Sequence, residues 1–138
     1  MAKRIAVMGC GYVGLLAAVG LSDFGNTCVG IDINPDKVTQ LQAGKSPIYE
    51  PGLDEYLRRN LDSGRLSFTS DPIPALKKAQ VIFITVGTPP LPNGQADLTF
   101  ILAAADSIAQ CLKEDPETYK VVVIKSTVPV GTNRMIRD

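Results

Sequence analysis

Five short apolar runs punctuate this chain, and each interval between them is long enough for a helix. Arg4–Met8 (RIAVM) ends at Gly9, and residues 27–33 (TCVGIDI) end at Asn34-Pro35. Leu66–Thr69 (LSFT) leads to Ser70-Asp71-Pro72, residues 81–86 (VIFITV) reach Gly87, and Val121–Ile124 precedes Lys125-Ser126. Aliphatic and β-branched residues dominate these runs, as expected of strands covered on both faces of a parallel sheet.

Helical spacing fills the intervals. Residues 12–24 carry it and stop at Gly25. Asn34-Pro35 opens a helix with proline at its first position, running to about Ala43 before Gly44. Leu53, Tyr56, Leu57 and Leu61 repeat at helical intervals, and Ser63-Gly64 ends that segment. Asp71 caps a helix beginning at Pro72 and reaching about Ala79. Asp97 or Leu98 starts one that extends to about Lys113, and residues 132–138 read as the start of another. Residues 46–52 and 87–96 are loops holding prolines and glycines.

Alternation of strand and helix over the whole length predicts an α/β fold of Rossmann type, a doubly wound parallel sheet with helices on both faces. Residues 1–138 are expected to form one domain. The expected strand order is 3-2-1-4-5, with a ligand above the carboxyl ends of the strands where the order reverses.

Composition narrows the function. Hydrophobic residues make up 45% of the chain, enough for a core, and the formal net charge is zero. A nucleic-acid or membrane-surface binder would carry a basic excess, so neither partner is expected. No apolar run approaches the roughly 18 residues of a membrane span, and the start of the chain does not resemble a signal peptide. A cytoplasmic protein is expected. Cys10, Cys28 and Cys111 are widely spaced and form no CxxC pair, which argues against disulfides and zinc. The sequence contains no histidine, the commonest general base and metal ligand.

The chemistry-bearing motif is Gly9-Cys10-Gly11-Tyr12-Val13-Gly14, a GxGxxG string between a strand and a helix. The first glycine permits the tight turn and the second lets a pyrophosphate approach the backbone. The third lets the helix pack closely on the strand. The helix start then offers N–H groups and a positive dipole end to the phosphates. Asp32 stands at the end of the second strand, near the offset of about 20 residues expected for the acid that holds the adenosine ribose. A carboxylate there repels a 2′-phosphate, which favours NAD over NADP. Lys37 follows one helical turn later and reaches the same ribose or a phosphate, or stands solvated at the surface.

Two loops complete the candidate site. Val86-Gly87-Thr88-Pro89-Pro90 follows the fourth strand, beside the first, and faces the cofactor. Ser126-Thr127 follows the fifth strand, on the nicotinamide side, where hydroxyls bind the cofactor, position a water, or cap turns. Cys10 lies inside the glycine loop, where a helix N-terminus lowers a thiol pKa. Its position in the loop packs it against the cofactor and away from a substrate, so a nucleophilic role is not expected. Cys28 and Cys111 read as small core residues.

Four strings go beyond a generic dinucleotide fold: IAVMGCGYVGL (5–15), GIDINPDKVTQLQAGKSPIYEPGL (30–53), VIFITVGTPP (81–90) and KSTVPVGT (125–132). Together they resemble the N-terminal, NAD-binding part of the UDP-glucose/GDP-mannose dehydrogenase family, over essentially the whole chain. The resemblance implies oxidation of the C6 alcohol of a nucleotide sugar to a carboxylate in two NAD-dependent hydride transfers. It is nearest to members that turn UDP-glucose into UDP-glucuronate. It carries cofactor contacts onto Gly11, Tyr12, Val13, Gly14, Asp32, Lys37, Val86 to Pro90, and Ser126, Thr127 and Val128. It also matches Thr127 to a family threonine linked to a catalytic water. No role follows for Glu50 beyond a structural one.

The family's cysteine nucleophile, in a glycine-rich string, has no counterpart among the three cysteines here, nor do its assisting lysine, asparagine and glutamate. Its central helix, its dimerisation surface and its UDP-binding C-terminal domain are also missing. The expectation is a piece of a longer, homodimeric enzyme acting on a UDP-sugar, able on its own to bind NAD without turnover. Alternatives are the corresponding part of a GDP-mannose or UDP-N-acetylmannosamine dehydrogenase, or a non-catalytic nucleotide-binding module.

Overall fold

The computed structural model describes residues 1–137 and places eleven elements among them. They are β1 (Arg4–Met8), α1 (Tyr12–Asp23), β2 (Thr27–Ile31), α2 (Pro35–Gln42), α3 (Leu53–Asp62) and β3 (Leu66–Thr69). These continue with α4 (Pro72–Lys78), β4 (Val81–Ile84), α5 (Thr99–Glu114), β5 (Val121–Ile124) and α6 (Thr132–Arg137). The last residue of the helix expected over 132–138, Asp138, lies outside the described residues.

All five strands are parallel, in the order β3-β2-β1-β4-β5 that the alternation predicts. Side chains of β1 alternate between two cores. Ile5 and Val7 join Leu15, Val19, Leu41, Leu57 and Phe68 on one face, under α1, α2 and α3. Ala6 and Met8 join Leu76, Ile82, Ile84, Ile101 and Ile108 on the other, under α4 and α5. Each fully buried side chain of this size contributes about 1.5–3 kcal/mol, so both faces of the sheet are strongly held.

Helix starts follow from local chemistry. The Asn34 side chain accepts hydrogen bonds from the N–H groups of Asp36 (3.0 Å) and Lys37 (3.2 Å), ahead of Pro35. Asp71 accepts from Ile73 N–H at 3.2 Å, ahead of Pro72. Each such cap is worth about 1 kcal/mol.

Several expected boundaries are corrected. β2 ends at Ile31, not at residue 33, because the Asp32 carboxylate turns to neighbouring N–H groups and Ile33 stands exposed. β4 ends at Ile84, not at residue 86, where the chain leaves the sheet over the glycine loop. α5 starts at Thr99, after the expected Asp97 or Leu98, because the Asp97 carboxylate accepts from Thr99 N–H (2.9 Å) and precedes the helix. α1, α2 and α4 stop one residue before their expected ends.

Candidate functional site

At the carboxyl ends of β1, β2 and β4, where the strand order reverses, a cleft of about 320 Å³ opens. Gly9 and Gly11 form one wall, Asp32 and Lys37 another, and Val86 and Gly87 a third. Gly9 turns the chain off β1 with φ of +97°, a conformation that disfavours any side chain. Its N–H donates to Ile31 O at 2.7 Å, which ties the turn to β2. Beyond it, α1 begins at Tyr12, with Gly11 as its N-cap and no side chain capping the start. Its first N–H groups are therefore available to an anion.

Asp32 is the hub of this wall. It is 8% exposed. Oδ2 accepts from Cys10 N–H (2.9 Å) and from the Lys37 ammonium (2.9 Å), while Oδ1 accepts from Asn34 N–H (3.0 Å). Burial pushes its carboxyl pKa up, but the hydrogen bonds from Lys37, Asn34 and Cys10, with the Lys37 charge, outweigh that and hold it below the ordinary value. A carboxyl whose pKa is depressed by folding stabilises the fold above its unfolded value of about 3.8 and loses that contribution as pH falls through the lower, folded value. Wild-type stability, followed by urea unfolding, is therefore expected to fall below pH of about 4, and Asp32→Asn to fall less steeply over the same range. Equal slopes for the two proteins contradict this account of Asp32.

The thiol of Cys10 faces away from the cleft. It is 1% exposed, it belongs to the core under α1, and its Sγ lies 3.6 Å from Ile31 O. Burial, and then the Asp32 charge, push its pKa up to about 12. The Cys10 position is expected to pack against the cofactor, and with the side chain in the core its backbone is what borders the loop. Only its backbone belongs to the loop, and a thiol held neutral is no nucleophile. Cys28 and Cys111 are also buried, as expected.

Tyr12 and Val13 are exposed beside the loop, and Gly14 is buried beneath it. The Tyr12 phenol donates to Glu50 Oε2 at 2.9 Å, so the Tyr-Glu-Pro-Gly loop is latched to the start of α1. That bond, then the Glu50 charge, holds the phenol above its ordinary pKa.

The remaining candidates lie outside the cleft. Thr88 Oγ1 donates to Thr127 O at 2.9 Å, and Ser126 Oγ donates to Val86 O at 2.6 Å, so these hydroxyls join the β4 and β5 loops. Pro89 and Pro90 belong to an exposed turn, where Asp97 N–H donates to Pro89 O and Pro90 bridges Ala96. Val128 packs against the core under α5.

The structure adds residues that the motifs do not show. Phe100, Ala103, Ala104 and Ser107 of α5 line the cleft, as do Ser70 and Pro72. Their spacing of i, i+3, i+4, i+7 on one helical face is a signal visible in the sequence. Thr85 also lines the cleft.

A glycine turn into a helix, an acid at the end of the next strand and an apolar cleft at the switch point define a dinucleotide-binding domain of Rossmann type. The model of the UDP-glucose/GDP-mannose dehydrogenase family, NAD binding domain, matches residues 3–138, and the chain belongs to that family. UDP-glucose 6-dehydrogenase TuaD of Bacillus subtilis is 44% identical over 136 residues, covering 99% of this chain and 29% of TuaD. A UDP-glucose dehydrogenase structure from Pyrobaculum islandicum superposes with a TM-score of 0.92 at 43% identity, over 99% of this chain and 33% of that one. A ternary complex of GDP-mannose dehydrogenase from Pseudomonas aeruginosa gives 0.92 at 40% identity, over 96% and 30%. This chain thus spans about a third or less of the relatives it matches. The cofactor of the family's domain is NAD, and the cleft suits it: an open helix start for the pyrophosphate and a carboxylate for the ribose. Among the described residues no helix is long and apolar enough to cross a membrane. None of their His, Cys, Asp and Glu side chains cluster in a group able to hold a metal.

Proposed function

We propose that this chain is the NAD-binding part of an enzyme that oxidises UDP-glucose to UDP-glucuronate with two NAD. The observation that carries the cofactor reading is Asp32, a buried carboxylate at the end of β2 that lines the cleft and accepts a hydrogen bond from the glycine loop's Cys10 N–H. Oδ1 receives one N–H bond and keeps acceptor capacity for a ribose hydroxyl. The N-terminus of α1 receives the pyrophosphate, and the α5 face with Phe100 and Ala104 covers the adenine side. NAD held by Asp32 and the glycine loop would supply the hydride acceptor for the oxidation. The chain's part is to hold the cofactor and exclude water around it.

UDP-glucose as substrate is supported by the higher identity to UDP-glucose 6-dehydrogenases of Bacillus subtilis, 44% and 48%, than to GDP-mannose 6-dehydrogenase of Pseudomonas aeruginosa, 38%. Sugar recognition, the nucleophile and the homodimer contacts are assigned to parts that the longer relatives carry. Thr127 is assigned to positioning the water at the nicotinamide end, next to the Thr88 link.

The test is calorimetry with NAD and NADP. Wild type is expected to prefer NAD, and Asp32→Ala to bind NAD about tenfold more weakly, the loss of a charged hydrogen-bond acceptor. Equal NAD affinity in the two proteins overturns the ribose assignment. These 138 residues mixed with NAD and UDP-glucose are expected to give no NADH absorbance. Joined in place of the matched segment of TuaD, they are expected to support it.

A further inference from the structure

The glycine loop is held by more than its own turn. The Thr85 hydroxyl, just past β4, lies 2.8 Å from Gly9 O and 2.9 Å from Met8 O and shares its one proton between them. Gly9 O and Cys10 N–H belong to the same peptide unit, and that N–H donates to Asp32 Oδ2 at 2.9 Å. One peptide plane is thus gripped at its carbonyl end by a residue past β4 and at its amide end by a residue past β2. Thr85 and Asp32 are both 8% exposed.

We infer that Thr85 is a positioning residue for the dinucleotide, and that with Asp32 it locks the Gly9–Cys10 peptide in the orientation the pyrophosphate requires. The physical need is specific. Gly9 lacks a Cβ, so rotating this peptide is sterically cheap. Rotation would swing a carbonyl oxygen toward the phosphate oxygens and withdraw an N–H from Asp32. Thr85 holds the carbonyl on the side of Gly14, toward the body of α1: a Cβ placed on Gly14 would lie 1.8 Å from Gly9 O and 2.5 Å from Thr85 Oγ1. Asp32 stabilises the same orientation from the other side. The clamp therefore couples the ribose site to the phosphate site through a single peptide bond.

This inference rests on the NAD reading of the cleft, and the experiment separates the two. Thr85→Val keeps the volume and removes the donor, while Thr85→Ser keeps the donor. Calorimetry is expected to show NAD binding about tenfold weaker in Thr85→Val, the effect of one lost hydrogen bond, and within about twofold of wild type in Thr85→Ser. Adenosine, which has no pyrophosphate, is expected to lose less affinity than NAD in Thr85→Val in an NMR titration, by no more than about twofold. Amide exchange adds a readout on the peptide itself. The Cys10 N–H is expected to exchange about tenfold faster in Thr85→Val, with the β1 amides unchanged. Wild-type NAD affinity in Thr85→Val, a serine variant as weak as the valine variant, or equal losses for NAD and adenosine each overturn the inference. Should Thr85→Val fail to fold, an unprotected Cys10 amide in wild type overturns it as well. Absence of NAD binding by wild type, with the Cys10 amide protected, instead overturns the cofactor reading and leaves the clamp standing.

Discussion

Gly14→Ala is expected to destabilise the domain by about 3 kcal/mol or more, a magnitude reserved for overpacking with no room to relax. A Cβ on Gly14 would stand 1.8 Å from Gly9 O, 2.5 Å from Thr85 Oγ1 and 2.9 Å from Gly9 C. Two of those three atoms are backbone, so no rotamer change relieves the clash. α1 must move off β1, or the Gly9–Cys10 peptide must turn. Moving α1 uncovers Leu15, Ala18 and Val19, all buried in the core that spans β1, β2 and β3. Turning the peptide breaks the bonds to Thr85 and Asp32. Total stability of a domain this size is about 5–15 kcal/mol, so the variant should show a sharply lowered urea midpoint and poor soluble yield. An unfolding free energy within about 0.5 kcal/mol of wild type contradicts the close packing of α1 on the loop.

The contrast between Gly14, packed under the loop, and Gly11, open to the cleft, was only half visible in the sequence. The GxGxxG string, its place between β1 and α1, and Asp32 at the end of β2 are local features set by a few neighbouring residues, and the structure brings them around one cleft. The strand order was legible because apolar β-branched runs alternating with helices leave few topologies. Thr85 was not legible as part of the loop, since 76 residues separate it from Gly9 and it lies inside an apolar run that reads as strand. Glu50 was likewise beyond local reasoning: its partner Tyr12 is 38 residues away, and the pairing arises only when the loop before α3 crosses the start of α1. The sequence leaves Ser126 as a ligand or a turn former, and the resemblance makes Thr88 a cofactor contact; a hydroxyl pattern alone does not choose between such roles. In the fold both hydroxyls bond to backbone carbonyls of adjoining loops. Cys10 stands in the motif, yet its side chain points into the core because it packs over Gly30 of β2, whose missing Cβ leaves the space.

Gly11→Val is the complementary case, and it isolates function from folding. Gly11 has φ of −72°, an angle any residue adopts, and a Cβ there would meet nothing within 4 Å. Neither strain nor crowding explains a glycine at this point. The open space above Gly11 belongs to the cleft, directly at the unpaired start of α1. A phosphate drawn to those N–H groups must approach to hydrogen-bond distance, about 2.7–3.2 Å. A valine side chain would occupy that approach. Stability by urea unfolding is thus expected to change by no more than about 1 kcal/mol, the scale of exchanging a glycine N-cap for a poorer one. NAD affinity is expected to fall on the order of a hundredfold, because the pyrophosphate loses both its fit and its hydrogen bonds to α1. Adenosine, which stops short of the loop, should still bind. Unchanged NAD affinity in a folded Gly11→Val protein contradicts the phosphate cradle. If that protein unfolds instead, the space above Gly11 is structural, and the separation between the second and third glycines of the motif fails.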